Sequence, residues 1–303
     1  MNDFLCLCLV VLCLSLSTLC RSKKVVVFGG TGRTGRTVIQ QLMSEPSVSK
    51  IICPVRNLAY ARKALGKESA KLRLVPCDIA KADSLLLQSI LEQIDVCVIC
   101  SGYAVAKNQL PDPCGPYKTD NLGNKRIIDV SSAVGCKKIV LLSSLLTNGF
   151  ESGQFTNPQY ILLNSFGGIL LNKRAAEKHL IASDLDWTII RPGGLTDDGK
   201  EQNAPLLYGT ADSIVGGSIT RTAVAEVVVA ACLQEAGEAS SKKVCLFHTH
   251  ILSYPLDTPH YTPLLTFSTH LLTYHLTLLL NTLSNILSNT LPLSQPIDTL
   301  ADC

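Results

Sequence analysis

Apolar and polar positions follow two rhythms through the middle of this chain. Short, nearly unbroken apolar runs fit buried strands at Lys24–Phe28, Ile51–Val55, Leu72–Pro76, Val96–Cys100, Lys138–Leu142, Trp187–Ile190 and Lys243–Phe247. Between them, apolar residues recur every three or four positions. That spacing fits helices at Arg33–Met43, Leu58–Leu65, Ala82–Leu91, Asn121–Val134, Ile169–Ser183 and Thr222–Gln234. Strands that alternate with helices predict a doubly wound parallel α/β sheet, buried on both faces. The stretch Pro192 to Thr220 is rich in Gly and Asp and reads as irregular. In such a sheet it forms a small C-terminal lobe beyond the carboxyl edge, where ligands bind.

The first strand runs straight into Gly29-Gly30-Thr31-Gly32-Arg33-Thr34-Gly35, which opens the first helix. Gly29, Gly32 and Gly35 stand three apart. Glycines there let the backbone approach a pyrophosphate, while the helix N-terminus offers free N–H groups and the positive end of its dipole. The strand before and the helix after supply the context such a motif needs. Gly29, Thr31, Gly32, Arg33, Thr34 and Gly35 are therefore expected to cradle a dinucleotide, in a Rossmann-type fold. An NAD-binding unit usually places an acid about 20 residues further on, to take the ribose 2′-OH. Here the second strand ends in Val55-Arg56-Asn57. A cation at Arg56, with Arg33 in the turn, suits the doubly charged 2′-phosphate, so NADP is expected over NAD.

The ends of the chain differ from this middle. Residues 4–20 form an apolar run near the lower limit of the roughly 17–25 residues that span a bilayer. The run lacks the basic start and small-residue cleavage site of a secretory signal. Arg21, Lys23 and Lys24 follow it, which keeps the downstream domain on the cytosolic or stromal side if the run tethers a membrane. The alternative is a soluble cytoplasmic protein that starts near the first strand. After Lys243 there is no Lys, Arg, Glu or Gly, and Leu, Thr, Ser, Pro and His dominate. The expected organisation is a segment 1–22 that is anchor-like or signal-like, a single nucleotide-binding domain at 23–247, and a low-complexity tail at 248–303, expected to be disordered.

A net charge of +3 is too small to imply a nucleic-acid partner. The 13 cysteines form no framework. Cys97 and Cys100 have CxxC spacing, but on a strand they point to opposite faces and make a poor metal clip. Reduced thiols are expected. His248, His250, His260, His270 and His275 match no usual ligand spacing, so no metal site is expected.

Several further segments carry a family likeness. They are Asp120-Asn121-Leu122-Gly123-Asn124, Val140-Leu141-Leu142-Ser143-Ser144, Asn157-Pro158-Gln159-Tyr160, Lys173-Arg174-Ala175-Ala176-Glu177, Thr188 to Leu195 (Thr-Ile-Ile-Arg-Pro-Gly-Gly-Leu), and Gly217 to Ala225. With the glycine turn they stand in order across residues 24–247. That region resembles the atypical short-chain dehydrogenase/reductase superfamily, and within it the NmrA-like, plastid translocon-component-like group of plants and cyanobacteria. The resemblance implies an NAD(P)-binding protein, and a plastid if the source is photosynthetic. It implies that Asp78 and Ile79 contact adenine, and that Ser101 and Gly102 lie beside the ribose and pyrophosphate. It also implies that Ser143 and Ser144 are site serines and Lys173 the site lysine. Short-chain dehydrogenases use Tyr-x-x-x-Lys, but the residue four before Lys173 is Ile169, and the group that this chain resembles often lacks the Tyr. Tyr160 is the nearest phenol upstream, and Asn121 could fill the site asparagine. Lys173 has a plainer reading too, as a helix-surface lysine paired with Glu177.

Two functions stay open at this point. One is an NADPH-dependent reductase of a planar acceptor such as a flavin or quinone, which can take its proton from solvent. The other is a non-catalytic NADP-binding module that senses redox state or scaffolds a protein partner.

Overall fold

The computed structural model describes residues 22–104, 111–197, 206–209, 217–234 and 243–249. All of them lie in the first of two units, 1–261 and 262–303. The apolar run at 4–20 and the tail beyond Thr249 fall outside the described residues. The strands are β1 Lys23–Phe28, β2 Val48–Val55, β3 Leu72–Pro76, β4 Val96–Ile99, β5 Lys138–Leu142, β6 Asp186–Pro192, β7 Gly194–Thr196, β8 Leu206–Gly209, β9 Ser218–Thr220 and β10 Lys243–Thr249. The helices are α1 Arg33–Ser44, α2 Leu58–Leu65, α3 Ser84–Leu91, α4 Asn124–Ala133, α5 Pro158–Asn164, α6 Ile169–Ile181 and α7 Arg221–Leu233. A wide turn of helix, Tyr117–Gly123, leads into α4.

The sheet runs β3-β2-β1-β4-β5-β6-β10-β9-β7, with β8 on β10. From β3 to β10 every pair is parallel. The order reverses between β1 and β4, and a dinucleotide lies across that switch point in folds of this kind. This is the Rossmann-type doubly wound sheet that the alternating rhythm implies.

Alternation along each strand sorts the core into two layers. Val25 and Val27 face α1, α2 and α7, where they meet Val38, Leu42, Ala61 and Val224. Val26 and Phe28 face α3, α4 and α6, where they meet Leu87, Ile90, Ile128 and Leu180. Parallel strands buried on both faces read as continuous apolar runs for this reason. Truncating a wholly buried residue such as Leu42 to Ala would cost about 2–5 kcal/mol. Cys97 belongs to one layer and Cys100 packs on the other, so their CxxC spacing brings no pair together. Cys53, Cys77, Cys97, Cys100, Cys114, Cys136 and Cys232 are free.

Local chemistry sets the element ends. Asp83 accepts from Leu86 N at 2.8 Å and starts α3 two residues later than periodicity alone suggests. Lys23 Nζ reaches the carbonyls of Cys232, Leu233 and Gln234 at 3.2, 2.7 and 3.2 Å. A cation thus closes the C-terminal end of α7 and ties it to the first strand.

Two stretches depart from expectation. Pro192 to Thr220 is not simply irregular, since it carries β7, β8 and β9. Strands of three or four residues are too short to show a period. β7 and β9 are matched by Gly194 N donating to Gly217 O at 2.8 Å, and a Cβ on Gly193 would sit 2.4 Å from the same oxygen. The other departure is α5. Asn157 Oδ1 accepts from Gln159 N at 2.9 Å, and Pro158 opens the helix, a cap-and-proline start that is legible in Asn157-Pro158.

Candidate functional site

The site is assembled at the carboxyl edge of β1, β4 and β5. Gly29 has φ of +78°, and a Cβ on it would lie 2.6 Å from Ser101 N, at the end of β4. A Cβ on Gly35 would lie 2.3 Å from Gly29 O, so α1 packs on the turn only without one. Gly32 N donates to Gly29 O at 2.9 Å and closes the turn. Gly32 is exposed, and the nearest atom to a Cβ there is 3.2 Å away. Two of the three glycines therefore serve packing, and Gly32 faces outward. Gly30, which the threefold spacing passes over, is equally constrained: its Cβ would meet Ile39 Cδ1 at 2.4 Å and Cys53 Sγ at 2.6 Å.

Among the described residues no side chain caps the N-terminus of α1, and its first turn holds no acid. Its leading N–H groups are left for a ligand, and an anion is favoured there. The cradle that a Cβ would fill and the uncapped helix both fit a dinucleotide pyrophosphate. Thr31 is half-buried and Thr34 buried beside it.

On the adenine side, Arg56 is exposed at the end of β2, followed by Asn57, which caps α2 by accepting from Tyr60 N at 2.9 Å. Asp78 and Ile79 are half-buried after β3. Asp78 Oδ1 accepts from Ala80 N at 3.1 Å. A Cβ on Gly123 would come within 3.0 Å of Ile79 O, so this glycine lets the turn before α4 press on the adenine-side loop.

On the other side of the switch point, Lys173 Nζ lies 2.9 Å from Asp120 Oδ1. The Lys173 side chain is 16% exposed and that of Asp120 is 0% exposed. The contact is ionic rather than a well-directed hydrogen bond. Asp120 Oδ2 accepts from Tyr103 N at 2.9 Å. A Cβ on Gly102 would lie 3.3 Å from both partners of the ion pair, so Gly102, Asp120 and Lys173 form one cluster. Ser101 Oγ donates to Asn124 Oδ1 at 3.2 Å, and Asn124 Nδ2 donates to Asp120 O at 3.1 Å. Ser143 is buried at the end of β5, and its Oγ has no partner among the described residues. Ser144 is half-buried next to it, with its carbonyl accepting from Thr147 Oγ1 at 3.3 Å.

The pairing of Lys173 with Glu177 does not occur. Glu177 is wholly buried and accepts from Arg191 Nε at 2.9 Å, Arg191 Nη2 at 2.7 Å and Arg174 Nη1 at 3.2 Å. Thr147 Oγ1 donates to it as well, at 3.1 Å. Glu177 thus ties α6 to β6 and to the loop after β5, leaving Lys173 to Asp120. Tyr160 is no substitute for the missing phenol of α6. It sits on α5, packed with Leu145, Leu146 and Leu170, and a Cβ on Gly149 would strike its ring. Asn121 donates to Asn172 Oδ1 at 3.2 Å, so it is Asn124 that reaches the site through Ser101.

Asp120 and Asn124 thus carry roles that no motif announces. Their signal was two polar residues four apart on the face of a helix that otherwise buries apolar side chains. Arg221 and Asp197 form a second such pair. Asp197 Oδ1 accepts from Arg221 Nη1 at 2.6 Å, and its other oxygen from Arg33 Nη1 at 3.4 Å. Arg33 is thereby turned toward α7. Burial pushes the Cys100 thiol, next to Ser101, up to about 12, so it stays a neutral thiol. Among the described residues no group of His, Cys, Asp and Glu could hold a metal.

Residues 29–235 match the NAD(P)H-binding family. An uncharacterized chloroplastic protein of Arabidopsis thaliana is 36% identical over 224 residues, 74% of this chain and 76% of that one. The chloroplastic protein TIC 62 of the same plant is 31% identical over 237 residues, 73% of this chain but only 35% of its own length. This chain thus spans about a third of that longer relative. The oxidoreductase ylbE from Lactococcus lactis shares the fold, with a TM-score of 0.61 at 19% identity, covering 75% of this chain and 91% of that one. The glycine turn, the open helix end and the order of the strands agree with these likenesses: the chain belongs to the NAD(P)H-binding family.

Proposed function

We propose that this protein is an NADPH-dependent reductase of a planar acceptor such as a flavin or quinone. The observation that carries this reading is the buried Lys173–Asp120 pair beside Gly102, on a helix that bears no phenol. Asp120 holds the ammonium at one place, where it would donate to the hydroxyls of the nicotinamide ribose. The unpartnered Ser143 hydroxyl would donate to the carboxamide or to the acceptor. The leading N–H groups of α1 would take the pyrophosphate, and Arg56 the 2′-phosphate. When bound, the cofactor supplies a hydride. α6 offers no tyrosine to supply the proton, since Ile169 stands where one would serve. An acceptor that takes its proton from water suits such a site, and a ketone that needs a protein acid does not. NADPH oxidation with FMN or a quinone tests the reading. Turnover with NADPH above that with NADH supports it, and no turnover with any such acceptor overturns it.

A second reading is a non-catalytic NADP-binding module with a protein partner. It is favoured by Phe150, Ile161 and Leu162, which are 71%, 53% and 59% exposed on and near α5. NADP binding without turnover, together with capture of a defined partner, would support it. Its chloroplastic relatives suggest a plastid. A membrane tether through residues 4–20 would follow the positive-inside pattern, and fractionation with protease protection tests it.

A further inference from the structure

A cleft of about 300 Å³ opens between the N-terminal ends of α1 and α7, lined by Arg33, Arg36, Thr37, Asp197, Arg221 and Thr222. Arg33 is the first residue of α1 and Arg221 the first of α7. Cations at these ends oppose the helix dipoles, so the arrangement is unfavourable without negative charge nearby. Three guanidinium groups face a single carboxylate among the lining residues. That carboxylate, Asp197, is 71% exposed and bridges Arg33 and Arg221. The Arg221 side chain is only 10% exposed, and Arg36 Nε is buried with no hydrogen-bond partner among the described residues. A buried donor left unmade is costly, which points to a missing acceptor.

We propose that this cleft binds the phosphate or carboxylate arm of the acceptor, so that the reductase takes an anionic planar substrate. The proposal rests on the reductase reading above and names the class of its second substrate. Asp197 holds the place of the anion until the acceptor arrives, and then swings away to solvent. Forked guanidinium groups suit both phosphate and carboxylate oxygens. Reduction of a flavin there would move one hydride from NADPH and one proton from water, giving NADP and the dihydroflavin.

FMN and riboflavin share one ring system and differ by the phosphate. Binding of each is measured by quenching of flavin fluorescence, with the protein first saturated with NADP so that the dinucleotide site is filled. FMN should bind at least about ten-fold more tightly than riboflavin, the scale of one charge-assisted contact. Arg221→Gln should bring that ratio close to one. The ratio is insensitive to partial misfolding, because both flavins probe the same folded fraction. Asp197→Asn, at an exposed position, should tighten FMN by removing the internal competitor. Failure of either flavin to bind, a ratio near one in the unaltered protein, or a ratio that Arg221→Gln leaves untouched overturns the proposal. So does an Arg221→Gln protein that loses NADP selectively, since the cleft would then belong to the cofactor. Tight FMN binding with no reduction would keep this inference and sink the reductase.

Discussion

Lys173→Met should unfold this protein more readily than Asp120→Asn, although both break the same ion pair. The Asp120 side chain is 0% exposed, whereas 16% of the Lys173 side chain reaches the surface. Removing the lysine strands a carboxylate in the interior, where among the described residues only Tyr103 N still donates to it. Removing the carboxylate charge leaves an ammonium that can draw in water. Breaking a buried pair by deleting one partner costs about 3–5 kcal/mol. Lys173→Met should approach the lower part of that range, and Asp120→Asn about 1–2 kcal/mol, because Lys173 is not fully desolvated and asparagine keeps an acceptor. For a domain of this size 1 kcal/mol moves the melting temperature by about 2–4 °C, so the lysine variant should melt roughly 6–12 °C lower. The double variant Asp120→Asn/Lys173→Met should recover part of the loss, since neither charge is then left alone. Urea unfolding of all four proteins closes the cycle. NADP calorimetry on the folded fraction reads the second role: the lysine variant should bind more weakly even where it is fully folded. Equal, small losses for both single variants and unchanged NADP affinity would refute the argument that this pair is both buried and poised at the cofactor.

Three further outcomes are expected. Gly35→Ala places a Cβ 2.3 Å from Gly29 O, so it should abolish dinucleotide binding or folding, as calorimetry and circular dichroism would show. Arg56→Glu should weaken NADP by about 2–4 kcal/mol and NAD far less, because it removes a charge-assisted contact and adds repulsion; equal losses in calorimetry would sink the NADP preference. Burial pushes the Cys53 and Cys232 thiols up to about 12, against which the Gly30 backbone hydrogen bond lowers Cys53 in part. The folded value exceeds the unfolded one, so this stability is complete below pH 9 and is lost as pH rises toward 12. Each thiol should add a slope of about 1.4 kcal/mol per pH unit in that window, and Cys53→Ala should remove one such share in alkaline urea melts.

The apolar rhythm of Val25 to Phe28, Val96 to Ile99 and Lys138 to Leu142 was enough to place a parallel sheet buried on both faces. Strand burial is a local property, written in each run by itself. The glycine turn was legible for the same reason, because a positive φ at Gly29 and a close approach at Gly35 exclude side chains wherever the chain lies. NADP preference and the role of each site residue were readable only as expectations. The tertiary structure decided the partners. Glu177 stands four residues from Lys173, at ideal helical spacing, yet Arg191 takes it from another strand, because a buried guanidinium needs a buried carboxylate more than an exposed-face pair needs itself. Lys173 turns to Asp120, and Arg33 turns to an acid beyond β7. Which helix end meets which is a question of crossover geometry, and no periodicity within α1 or α7 records that their first residues converge on one cleft.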